Sequence, residues 1–396
     1  MELSISYSSL RPSAVLPQRC KSSSHNNRMI CIKPITKNIN NCSSNFPSKL
    51  CSTNRLIQPL AGLYGESKQD RPRNIIRACG RDEHDDSASS TGLTKVLRFG
   101  SACYKFVRPY AMLHTLISTI CLFARVLVEN PQLFTWSLLL KAFLGLIAVL
   151  LLNAYYCGHN GIYDADIDRV NKPDLPISSG DLSLKQAWFL VIFAVLSGLL
   201  ILRLMNADLI TTSLYCFWIL LATSYSAPPF RFKQSSVATS IVIPLMGGIV
   251  HLVGVLYATR ASLGLSFQWS PSTIFITTFA TLFFLVICNI KDLADVEGDI
   301  KYNIRTFPAI YGPRKVTIFF TGILLLDYIG SMLVAICMPQ AFKPYIMAPA
   351  HAIFSLWILI EAKKLDKTNY SKEASTNFFQ LLWKLFALEF LLFPFM

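Results

Sequence analysis

Residues 138–172 read LLLKAFLGLIAVLLLNAYYCGHNGIYDADIDRVNK. The first twenty carry a single charge, Lys141, and about 20 apolar residues are enough to cross a bilayer as a helix. The end of the stretch, residues 160–172, holds three carboxylates, Asp164, Asp166 and Asp168. Ionisable groups at the mouth of a membrane span are costly, so such a cluster points to function. A second stretch, NIKDLADVEGD at residues 289–299, closes another apolar run in the same way. Two acidic boxes, each ending a hydrophobic span, set the reading of the whole chain.

Of the 396 residues 53% are hydrophobic and 15% charged, against about 25% charged in soluble domains. Apolar runs of spanning length recur at 109–128, 134–158, 186–204, 208–224, 236–257, 271–290, 316–337, 344–361 and 376–395. The expected fold is therefore an all-α, multi-pass membrane protein with nine transmembrane helices. Loops after even-numbered spans carry Arg169, Lys172, Lys185, Arg231, Lys233, Lys301, Arg305, Arg314, Lys315, Lys363, Lys364, Lys367 and Lys372. The opposite loops carry little beyond Arg203, Arg260 and Lys343. Positive charge marks the face from which helices insert. Both acidic boxes follow even-numbered spans, so they share that face, the stromal or matrix side.

The front of the chain differs. Residues 1–78 are rich in Ser, Asn, Lys and Arg, have no long apolar run, and are almost free of acid before Glu66. That composition predicts an organellar transit peptide, with Ile76-Arg77-Ala78-Cys79 resembling a plastid processing site. Residues 79–103 read as a flexible linker, and 104–396 as the membrane domain. The net charge of +14 falls in the leader and the membrane loops, which argues against a nucleic-acid partner. The eleven cysteines show no metal-binding spacing.

On a helix Asn160, Asp164 and Asp168 fall four residues apart and share a face, while Asp166 points elsewhere. Asp292, Asp295 and Asp299 share a face by the same rule, joined by Asn289. Such clusters need cations, and hard oxygen ligands suit Mg2+, which binds through one or two carboxylates plus substrate phosphates. The spacing therefore predicts two facing stripes that clamp a diphosphate through Mg2+. Arg108, Lys172, Arg231, Lys233, Lys301 and Arg305 lie on the same side and can meet phosphate oxygens, although each alone also fits an interface anchor. His114 and His159 are possible proton acceptors or plain structural histidines. Cation-coupled transport is the rival of another class, but transporters favour mid-span acids and inverted repeats.

NGIYDADIDRVNK resembles the first aspartate-rich motif of the UbiA-type intramembrane prenyltransferases, through Asn160, Asp164 and Asp168. KDLADVEGD resembles the second motif of their plant aromatic branch, through Lys291, Asp292, Asp295, Glu297, Gly298 and Asp299. YSAPPFRFK at 225–233 and FVRPY at 106–110 are similar to two further family segments. The resemblance covers about residues 100–396. It implies nine helices around a central cavity in a chloroplast membrane, and a catalytic set of Asp164, Asp168, Asp292 and Asp295. It implies metal ligation of Mg2+ by Asn160, Asp164, Asp168, Asp292, Asp295 and Asp299. It also implies donor-diphosphate contacts from Arg108, Asn160, Lys172, Tyr225, Arg231, Lys233, Lys291 and Arg305. The partners would be a prenyl diphosphate donor, a phenolic acceptor and the lipid bilayer. The implied activity is prenyl transfer, with dimethylallyl the expected group, to a carbon of a phenolic such as a flavonoid or coumarin. The alternative is a homogentisate phytyl, geranylgeranyl or solanesyl transferase. Gly161 replaces the usual Gln or Asp beside Asn160, and Tyr110 stands where homogentisate enzymes often have His. Both departures suggest an altered acceptor pocket.

Overall fold

The structure, a computed structural model, describes residues 88–301 and 304–396. The transit-peptide reading of residues 1–78 lies outside the described residues. Of the expected linker at 79–103, residues 79–87 lie outside the described residues, and from Ala88 the chain forms a helix, α1 (Ala88–Phe106). Its apolar positions explain the difference. Ala102 and Phe106 are buried, Phe106 packs where a side chain on Gly158 would otherwise sit, and Arg98 pairs with Asp181 at 3.1 Å.

Next come α2 (Pro109–Glu129), α3 (Trp136–Tyr163), a short α4 (Ala165–Asn171), α5 (Leu184–Leu204) and α6 (Leu209–Ser226). Span five is α7 (Ser236–Ile243), a π-helical segment (Pro244–Val250) and α8 (His251–Ser262). The chain continues as α9 (Pro271–Ile290), α10 (Val296–Lys301), α11 (Phe307–Tyr311), α12 (Pro313–Cys337), α13 (Pro344–Lys367) and α14 (Lys372–Leu392). Among the described residues nine helices are long and apolar enough to cross a membrane, in the order read from the sequence. The largest boundary difference is α13, which runs past the apolar stretch to Lys367, since helical hydrogen bonding does not stop where hydrophobicity does.

Local chemistry fixes the starts of these helices. The Thr135, Ser183, Asp208, Ser270 and Ser371 side chains each accept a hydrogen bond from a backbone N–H of the turn they open, filling donors the helix itself cannot satisfy. Burial then divides the helices between two apolar clusters. One joins α2, α8, α9, α12, α13 and α14 around Phe279, Phe283, Leu324 and Phe390. The other joins α1, α3, α5, α6 and the first half of span five around Leu152, Val191, Tyr215 and Met246.

The π-helical segment follows from its sequence. Pro244 supplies no N–H and its ring crowds the preceding turn, and the two glycines that follow let span five lie against α9. A Cβ on Gly248 would fall 2.5 Å from Thr281 Cα, and one on Gly247 would fall 2.8 Å from the Phe284 ring. Gly248→Val is expected to force the spans apart and cost about 1–3 kcal/mol. Thermal unfolding in detergent micelles should show a lower midpoint for it. Gly254→Ala, whose Cβ would meet nothing closer than 3.9 Å, should leave the midpoint in place.

Candidate functional site

Each acidic box sits where a span changes its helical geometry. α3 ends at Tyr163, Asp164 leaves the helical region at φ −103°, ψ 5°, and α4 resumes at Ala165. The backbone ladder nevertheless bridges the break: Asp164 N–H donates to Asn160 O at 3.0 Å, Asp168 N–H to Asp164 O at 2.8 Å, and Lys172 N–H to Asp168 O at 2.7 Å. The predicted stripe of Asn160, Asp164 and Asp168 therefore survives. Asp166 is left exposed beside Arg169. At the second box α9 tightens into a 3-10 turn, Lys291–Ala294, before α10 begins at Val296.

Both stripes face one cavity of about 800 Å³, lined also by Arg108, Lys172, Tyr225, Arg231, Lys233 and Lys291. In it each of four aspartates stands beside a basic residue. Lys233 donates to Asp164. Arg108 lies 3.8 Å from Asp168, Lys291 lies 3.9 Å from Asp292, and Lys172 lies 3.0 Å from Asp295. Lys291 also donates to the Tyr225 hydroxyl at 3.0 Å, and the Asn160 amide donates to Asp164 at 2.9 Å. Asp299 accepts from the Thr306 hydroxyl at 2.9 Å.

Three expectations are corrected. Arg305 is exposed and does not line the cavity. The chain there runs as a strap, with its backbone paired to Ser235 and its carbonyl accepting from Ser236 Oγ at 2.7 Å. Its neighbour Thr306 reaches the site instead. Asn289 does not share the second stripe: its amide donates to Ser240 Oγ at 2.9 Å and to Leu285 O at 2.8 Å, because the 3-10 turn changes the angular step after Ile290. Gly161 faces Ile177 in a small side pocket, outside the main cavity. Tyr110 does line the cavity, and its hydroxyl donates to Gln380 O at 3.0 Å. Of the two histidines, His114 lines the cavity and His159 is stacked among Tyr155, Tyr163 and Trp188.

Sequence reasoning passed over Thr306 and the deeper polar lining of Thr115, Ser118, Asn153 and His251. Polar residues inside otherwise apolar spans were the available signal for the last four.

The donor set fits Mg2+. Among the described residues no three acidic, His or Cys side chains form a ready-made metal cage. The ligands are oxygen alone, spread over two stripes, and Mg2+ is commonly completed by substrate phosphates rather than caged by protein. Burial raises the Asp168 carboxyl above the usual carboxylate range, with Lys172 and Arg108 opposing. Burial likewise raises Asp299, against the Thr306 hydrogen bond, and lowers Lys233, against Asp164. A carboxyl with a raised value keeps its proton to higher pH, so protons compete with a cation over a wider range. Mn2+ binding, followed by electron paramagnetic resonance, is therefore expected to weaken as pH falls, starting above the ordinary aspartate value of about 3.9. Asp299→Asn should weaken binding and flatten that pH dependence.

Comparisons with known proteins show which family the chain resembles over most of its length. Residues 116–384 match the UbiA prenyltransferase family. A chloroplastic 2-acylphloroglucinol 4-prenyltransferase of Humulus lupulus is 38% identical over 94% of this chain and 95% of its own length. A chloroplastic homogentisate solanesyltransferase of Arabidopsis thaliana is 44% identical over 81% of this chain and 83% of its own. A UbiA homolog from Archaeoglobus fulgidus, solved bound to GPP and Mg2+, has the same fold at TM-score 0.50 and 20% identity, over 72% of this chain and 99% of that one.

Proposed function

This chain belongs to the UbiA prenyltransferase family, and we propose that it transfers a prenyl group, dimethylallyl in the first instance, from its diphosphate to a ring carbon of a plant phenolic in a plastid membrane. The observation that carries this reading is one cavity with a charged mouth and an apolar interior. Two aspartate stripes and six basic side chains, Arg108, Lys172, Arg231, Lys233, Lys291 and Lys372, line it together with the aromatic rings of Phe284, Phe379, Trp383 and Phe386. Relatives whose names place them in the chloroplast and give acylphloroglucinol or homogentisate acceptors support an aromatic acceptor.

The chain's own residues account for the chemistry. Arg108, Lys172, Arg231, Lys233 and Lys291 meet the donor's phosphate oxygens and neutralise the charge that grows on the leaving group. Mg2+, held by Asn160, Asp164, Asp168, Asp292, Asp295 and Asp299, would add the divalent charge that makes diphosphate a good leaving group. The donor C–O bond breaks with its electron pair leaving on the diphosphate. The aromatic walls steady the allylic cation through their ring faces and keep water away from it. The phenol ring carbon attacks to form the C–C bond, and the ring proton departs to a base, restoring aromaticity.

A homogentisate acceptor with a longer donor remains the second reading, favoured by the relative of highest identity among those described above. Cation-coupled transport is disfavoured, because the acids are gathered at one mouth.

Membranes containing this chain, dimethylallyl diphosphate, Mg2+ and a panel of phenols should give a prenylated product that disappears when the metal is chelated. Asp164→Ala and Asp295→Ala should each lower the rate by a factor of about 10²–10³ or more. Diphosphate release with no prenylated phenol at any donor length would overturn the proposal.

A further inference from the structure

Below its mouth the cavity has two kinds of lining. Phe284 of α9 and Trp383 and Phe386 of α14 make an aromatic surface, with ring centroids 5.2–6.1 Å apart. Thr115 and Ser118 of α2, Asn153 of α3 and His251 at the start of α8 make a polar one. Ser118 lies nine residues along α2 from Pro109, about 14 Å at 1.5 Å per residue, and so that far from the turn where Arg108 faces Asp168.

The hydrogen bonds there leave one atom over. The Asn153 amide donates to Ala111 O at 3.3 Å and to Thr115 Oγ1, and its carbonyl accepts from Cys157 Sγ at 3.2 Å. The Ser118 hydroxyl donates to Thr115 O at 3.1 Å. With its proton committed there, Ser118 Oγ can act only as an acceptor toward His251 Nε2, 3.5 Å away. That assigns the proton of the neutral ring to Nε2 and makes Nδ1 an acceptor. No hydrogen bond to His251 Nδ1 is made among the described residues. His251 lines the cavity, and a ring nitrogen whose acceptor capacity no described side chain uses can take a hydrogen bond from a ligand there. A prenyl chain has no donor to offer, and the aromatic surface beside it suits that chain better.

We propose that Ser118 and His251 form a deep subsite that recognises a hydroxyl on the acceptor, remote from the carbon that is prenylated. The subsite rests on the aromatic prenyl-transfer reading above and narrows it. The depth selects an extended polyphenol, one that places one ring at the charged mouth and a second, hydroxylated ring near His251. The tautomer selects a hydroxyl over a carbonyl or methoxy group, because Nδ1 can only accept. The π-helical segment immediately before His251 sets where that imidazole stands in the span.

The test uses the full chain in lipid nanodiscs and three two-ring phenols differing only on the far ring: hydroxyl, methoxy and hydrogen. Binding is measured by tryptophan quenching without donor or metal, and acceptor and donor KM values are measured with both. The native chain is expected to bind the hydroxyl compound about tenfold more tightly than the other two. His251→Phe should raise its Kd and its KM by about the same factor and abolish the preference, while donor KM changes less than twofold. Ser118→Ala frees Nε2 and lets the ring carry its proton on Nδ1, so the hydroxyl-over-methoxy preference should shrink even if His251→Phe does not fold. Equal losses for all three phenols in both variants would overturn the subsite. So would unchanged binding with improved use of longer donors, which would give the deep end to the prenyl chain. Absence of any prenylated product from the native chain would instead count against the proposed function itself.

Discussion

Five carboxylates crowded at the mouth of an apolar helix bundle repel one another, and the rest of the site is arranged around that repulsion. Two unit charges 4 Å apart interact by about 4 kcal/mol at an effective dielectric of 20. Four of them stand beside a basic side chain, which in three cases comes from a different turn or loop. Lys233, from the loop after α6, reaches Asp164 at the break between α3 and α4, and Lys172, at the end of α4, reaches Asp295 after α9. Arg108, at the start of α2, faces Asp168 on α4. The pairs therefore hold separate spans to a common mouth. A ligand carrying more charge than a lysine can exchange into the same positions, which leaves the lysines free to follow the phosphate oxygens.

Much of this was legible because membrane helices leave a strong trace. Apolar runs gave the nine spans, and charge parity put both boxes on one side. The four-residue spacing of Asn160, Asp164 and Asp168 held because the backbone ladder continues through Asp164. What the sequence hid follows from one assumption, a constant rotation of about 100° per residue. The 3-10 turn at Lys291–Ala294 breaks that assumption and turns Asn289 toward Ser240. The strap before α11 breaks it again, offering Thr306 where Arg305 was expected. Gly161 departs from the family pattern yet lies outside the main cavity, whereas Tyr110, the other departure, lines it. A substitution read from sequence marks a difference, but only the fold says which cavity feels it.

Span five shows how a helical irregularity can be useful within a bilayer. Backbone groups in hydrocarbon must be satisfied internally, so a break in mid-span survives only where neighbours cover it. Gly247 and Gly248 supply that cover by letting α9 approach at the π-helical segment. One cavity thereby gains aromatic walls from α9 and α14 and a polar wall ending at His251. A lipid-like chain and a hydroxylated ring make opposite demands on their surroundings, and the two linings meet them side by side.

The arginines at the mouth add a constraint from the backbone. Arg108 and Arg231 both sit in the left-handed backbone region, at φ 51° and 42°. A non-glycine residue there costs roughly 1–2 kcal/mol, and such strain gathers at functional sites. Each is held by the acidic box it serves. Arg108 faces Asp168, and the Arg231 guanidinium donates to Tyr163 O, the residue before Asp164, at 3.3 Å. The loops that present these cations are thus tied to the segment of the first acidic box, one through the Asp168 carboxylate and the other through the Tyr163 carbonyl. Loop conformation and site charge are coupled by the same few contacts. The charge of an incoming diphosphate is therefore felt in the backbone that delivers the arginines as well as in their side chains.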